Sequence, residues 1–204
     1  MIESSFASIS DDLFNQHMRE NRYGDFVLTD AVRPSFDLKV IPSNGYREDI
    51  YRDEEMNSEI PLLIASVSCE KLLDIFYDII DLVGSEVDVT LESSHEEFNG
   101  NYCRDCIDLP VLKSILYDFE DVLLNDGYVG IAVYNRELLT EVHLDEHKLL
   151  LIYAPDFEMF KNIFNDYGIE HSKDIRFIVE ADHVHSSNER LKNSFGELRQ
   201  ALIR

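Results

Sequence analysis

From Pro61 onward the chain alternates between two hydrophobic periods, and this limits what it can fold into. Pro61–Val67 (PLLIASV) is a continuous apolar run of strand length, the pattern of a strand buried on both faces. Leu72, Leu73, Ile75, Phe76, Ile79 and Ile80 then recur at helical spacing and predict an amphipathic helix over 70–83, with Gly84 where a C-terminal cap belongs. Val87, Val89 and Leu91 alternate, which predicts a strand over 86–91. The polar stretch 92–109 reads as a long loop. Pro110 opens a second helix to Asn125, with Leu112, Ile115, Leu116, Phe119 and Leu123 as its stripe. Three strands follow, over 128–134, 141–144 and 148–153. A helix over 156–167, a strand over 175–180 (IRFIVE) and a closing helix over 188–203 complete the pattern.

Helical crossovers and a strand meander in one chain predict an α+β protein: a mixed sheet covered by helices, with an elaborated ferredoxin-like sandwich as the simplest candidate. The first 59 residues are less regular. They read as an N-terminal extension packed on a core domain spanning 60–204. The extension carries a helix from Asp11 capped by Ser10, short strands over 25–28 and 36–40, and an exposed acidic connection over 47–59.

Charge bounds the partners. Forty-one acidic residues oppose eighteen Lys and Arg, a net of −23, and such a surface repels phosphate backbones and anionic headgroups. Nucleic acid and membrane surfaces are excluded as expected partners. A protein with a basic surface, or a metal cation, is favoured. The carboxylates on helices, such as Asp74, Asp78, Asp81, Glu120 and Asp121, read as solvated faces. No apolar run is long enough to cross a bilayer, and Met1–Ser5 lacks the basic and apolar regions of a secretory leader. The expected location is the cytoplasm, where three cysteines would be reduced thiols.

If each predicted helix is a crossover within one sheet, the strands it joins run parallel. The strands at 61–67, 86–91, 128–134, 148–153 and 175–180 would then end at one edge, where open α/β sheets bind ligands. Ser68 and Cys69 follow the first of them. His95, Cys103 and Cys106 follow the second. Asp182, His183 and His185 follow the last. Imidazole, carboxylate and thiolate are zinc ligands, so His95, Cys103, Cys106, Asp182, His183 and His185 form the candidate set for zinc or another divalent metal.

Each feature also has a plainer reading. Cys103-Arg104-Asp105-Cys106 is a C-x-x-C pair, which chelates zinc or cycles to a disulfide, but no second pair completes it and two loop thiols are simpler. His183 and His185 fall on one face of a strand, and the simpler reading is that they are polar strand-end residues hydrogen-bonded to backbone. Cys69 reads as a small buried residue. His143 and His147 flank Asp145 and Glu146, and the segment reads as a solvated hairpin. Phosphate-binding, nucleophile-elbow and H-E-x-x-H motifs are missing from the sequence. Motif poverty and acidity make a non-catalytic regulatory or interaction domain the leading expectation. A metal-dependent enzyme or metal-binding protein is the alternative.

Overall fold

The computed structural model describes residues 6, 9–53 and 58–203. Its chain order is α1 (Asp11–Arg19), β1 (Arg22–Tyr23), β2 (Phe26–Val27), β3 (Val32–Pro34), β4 (Gly45–Asp53), β5 (Ser58–Ser66), α2 (Cys69–Ile80), β6 (Glu86–Ser93), β7 (Gly100–Asp108), α3 (Leu109–Tyr117), α4 (Glu120–Asn125), β8 (Val129–Asn135), β9 (Thr140–Leu144), β10 (Leu149–Tyr153), α5 (Glu158–Asp166), β11 (His183–His185) and α6 (Glu189–Leu202). The α+β class holds.

Seven strands form one sheet in the order β4-β5-β10-β9-β8-β6-β7. One face meets the helices. Alternate residues of the strands, such as Leu63, Val89, Ile131, Val142 and Ile152, join Leu72 and Phe76 of α2, Leu112 and Leu116 of α3, Phe164 of α5 and Phe195 of α6 in a single buried cluster. The helical stripes read from the sequence are the faces buried here. The 110–125 helix is interrupted at Asp118 and Phe119.

The sheet is antiparallel at every pairing, not mixed. The cause is β7, which lies inside the stretch expected to be a loop. Its period is broken by a bulge opposite Asp88, where the register shifts between Val87 and Val89. Cys106 takes a φ of 54° there and donates its backbone N–H to the Asp88 carboxylate at 2.9 Å. An extra residue in one strand destroys the alternation by which a strand is recognised. Because β7 reverses the chain before α3, β8 runs opposite to β6. The ferredoxin-like expectation is not confirmed: the elements from β5 to β8 follow as β-α-β-β-α-α-β, and in the sheet β10, β9 and β8 lie between β5 and β6.

Three further expectations are corrected. Residues 175–180 are not a strand. Ile175 and Phe177 pack on Ile64 and Leu149 against the sheet's other face, and Ile178–Glu180 is a 3₁₀ turn. Residues 36–40 turn at Ser35, whose carbonyl accepts the Leu38 N–H at 2.9 Å. The acidic connection instead contributes β4 and the start of β5, the hairpin that forms one edge of the sheet; charged side chains are common on such edges.

The predicted common edge is corrected too. The carboxyl ends of β5, β6 and β9 lie at one edge, and those of β4, β7, β8 and β10 at the other. At the first edge, β11 pairs with β3 in a separate two-stranded sheet. This small sheet meets the main body at Gly127. The Gly127 N–H donates to Ser186 O and the Ser186 N–H to Ala31 O, both at 2.8 Å. A Cβ on Gly127 would stand 2.1 Å from Ala31 O, so only glycine permits this approach.

Candidate metal centre

Two local structures bring three histidines together. The first is the turn between β9 and β10. The Asp145 carboxylate accepts the backbone N–H groups of His147 and Leu149 at 3.0 and 2.8 Å and holds His147 Nδ1 at 2.9 Å. The second is β11, where His183 and His185 share a face because they are two residues apart. The rings of His147, His183 and His185 lie with centroids 4.7–5.0 Å apart, and a nitrogen from each lies within 4.8 Å of the others. A tetrahedral zinc site needs nitrogens roughly 3.3 Å apart, from Zn–N bonds of about 2.0–2.1 Å, so small ring movements close the set.

The hydrogen bonds fix which nitrogen each ring offers. His147 Nδ1 meets the Asp145 carboxylate, His183 Nδ1 meets Ala181 O at 2.8 Å, and His185 Nδ1 meets Gly127 O. A carbonyl or carboxylate oxygen only accepts, so each Nδ1 carries the proton and Nε2 keeps the lone pair in the neutral ring. This is the outer-shell arrangement that orients metal-bound imidazoles. Burial, and then the neighbouring His147 and His183, push the His185 pKa down, against the raising effect of its bond to Gly127 O and of Glu146. The neutral, ligating form is thereby favoured.

The surroundings are acidic and partly open. A cleft of about 370 Å³ beside His147 is lined by Glu92, Ser94, Asn101, Tyr128 and Glu146. Ser94 Oγ donates to Glu146 Oε2 at 3.2 Å. Lys148 is buried next to His147, with Nζ donating to Val129 O at 2.7 Å. Burial pushes its pKa down to about 8, against the pull of Asp145, Asp126 and Glu146.

Of the six residues singled out in the sequence, the structure brings together His183 and His185. His95 Nε2 is bonded to the buried Asp126 at 2.8 Å, and its ring packs near Tyr128 and Phe195. Asp182 precedes His183 but is not in the group of converging ligand atoms. Cys103 and Cys106 are exposed thiols on β7, Cys103 lying 3.4 Å from Thr90 Oγ1. Glu86, burial, Asp88 and Asp105 raise the Cys106 pKa, which disfavours the thiolate that metal or redox chemistry uses. Burial raises that of Cys69, at the start of α2.

The residue passed over is His147. The Asp145-Glu146-His147 run is visible in the sequence, but only the folded approach of β11 to this turn brings His147 into the histidine cluster. His143 points to the other face of the sheet, bonded to Glu141 at 2.7 Å. Among the described residues, His147, His183 and His185 are the only group of three or more such side chains whose ligand atoms converge, and no helix is long and apolar enough to cross a membrane. Comparison with protein families, curated proteins and solved structures finds no match.

Proposed function

We propose that this protein binds a divalent transition-metal ion, zinc first among them, through Nε2 of His147, His183 and His185. The observation that carries this is the hydrogen bonding: three adjacent imidazoles each have Nδ1 tied to an oxygen acceptor and Nε2 left to coordinate. Imidazole suits zinc, copper, nickel and iron. Three protein ligands leave a fourth position for water or an exogenous ligand, the composition of catalytic rather than structural zinc sites. Such an ion polarises a bound oxygen or lowers the pKa of bound water, and the cleft beside His147 gives a small molecule room nearby.

The test is metal stoichiometry. Chelator-stripped protein re-equilibrated with zinc and passed over a desalting column should retain one ion per chain. The His147→Gln/His183→Gln/His185→Gln variant should retain none. Equal retention by both would refute the assignment. The net charge of −23 supports a second reading, that of a cytoplasmic domain meeting a basic protein partner. Charge alone specifies no partner, so the metal centre carries the conclusion.

A further inference from the structure

We propose that the metal acts as a clasp: by bridging His147 to His183 and His185, it fastens the β3–β11 sheet and the N-terminal segment paired with it to the main sheet. This rests on the metal-binding reading above and adds a structural consequence. His147 belongs to the β9–β10 turn of the seven-stranded sheet, whereas His183 and His185 belong to β11, which among the described residues pairs only with β3. An ion held by all three therefore spans two separate sheets.

The joint it spans is weakly built. The N-terminal segment contributes Phe26, Leu28 and Val32 to a small buried cluster with Ile178, distinct from the main core. Between this cluster and the main sheet lies a void of about 20 Å³, bordered by Phe26 and Val32 on one side and by Ser66, His147 and Leu149 on the other. A cluster of four residues buries little apolar surface, and segments with few such contacts open most easily. Hydrogen bonds supplement the packing: Gly127 to Ser186 at 2.8 Å, Asp30 N–H to Asn125 Oδ1 at 3.0 Å, and Val27 N–H to Ser68 Oγ at 3.0 Å.

If opening the joint separates His147 from β11, the open form holds the ion with fewer ligands. Binding then favours the closed form by mass action, and zinc at about 100 times its Kd lowers the opening constant by up to ~100-fold. His183 and His185 alone can hold an ion without bridging, so binding and clasping are separable.

Hydrogen–deuterium exchange on the full chain, with and without zinc, tests this, with bound zinc quantified in the same samples. Zinc should slow exchange in β3, β11, Gly127 and Ser186 by at least about tenfold, leaving unchanged the amides of α3 that exchange by local opening away from the joint. His147→Gln should abolish the zinc effect, even at zinc concentrations that occupy the β11 pair. Bound zinc without slower exchange in β3 and β11, or with equal slowing of the locally opening amides of α3, overturns the clasp and leaves the metal site standing. No bound zinc overturns both. If His147→Gln loses β8 protection before zinc is added, the wild-type comparison alone decides.

Discussion

Lys148 offers a direct measure of what burial costs beside the histidines. Its side chain is enclosed, its Nζ reaches Val129 O, and its pKa is pushed down to about 8 from an ordinary 10.5. In the unfolded chain it keeps its proton up to about 10.5. Between these values the unfolded state binds more protons than the folded one, so stability rises with pH by up to ~1.4 kcal/mol per unit. Across the full interval this amounts to ~3 kcal/mol, the cost of keeping a buried ammonium charged at pH 7. Lys148→Met removes that cost and loses a charge-assisted hydrogen bond worth about 1.5–3 kcal/mol. The two nearly cancel at pH 7. The assay is urea unfolding of chelator-treated wild type and variant from pH 7 to 10. The wild type should gain on the variant by about 2–3 kcal/mol between pH 8 and 10; titrations common to both, including the tyrosines, drop out of the difference. A difference that stays flat with pH would show that the amine is not desolvated, and would refute the reasoning.

Gly127→Ala should destabilise the β3–β11 sheet selectively, because the new Cβ meets Ala31 O; amide exchange or limited proteolysis within residues 22–35 would report it, and an unchanged pattern would contradict the close approach. Asp145→Asn keeps an acceptor for His147 but loses the charge, and should weaken zinc binding by roughly 10-fold or more, read by competition with a chromophoric chelator. Phe195→Ala, in the centre of the helix-facing core, should cost about 3–5 kcal/mol in chemical unfolding. Duplex DNA should show no micromolar complex at physiological salt, since few Lys and Arg are available to release counterions; a salt-sensitive shift in a mobility assay would reveal a basic patch that the net charge conceals.

Helices α2 to α6 were legible because they pack one stripe against a single sheet, so burial follows sequence spacing: Leu72, Phe76 and Ile80 on α2 and Phe160 and Phe164 on α5 are buried as their periods require, whereas α1 buries no residue. The strands β5, β6 and β8 were legible for the same reason. β7 was not, because a bulge and a polar outer face leave it with Ile107 as its only fully buried side chain. The IRFIVE segment misled in the opposite sense. Its apolar residues are real anchors, but Ile175 and Phe177 dock by side chain, with the Arg47 guanidinium over the Phe177 ring at 4.8 Å, and among the described residues no strand pairs with its backbone. The H-x-H pair was visible because its two members are local. Its third partner lies 36 positions from His183 in the chain and is brought near by the pairing of β11 with β3 and by the space at Gly127, neither of which leaves a periodic signal.

X-ray absorption at the zinc edge of protein loaded with one equivalent bears most directly on the central claim. The account predicts a first shell of nitrogen and oxygen at about 2.0–2.1 Å with imidazole outer-shell scattering from three rings, reduced in His147→Gln. A sulfur shell near ~2.3 Å would place the ion on Cys103 and Cys106 instead, and would contradict it.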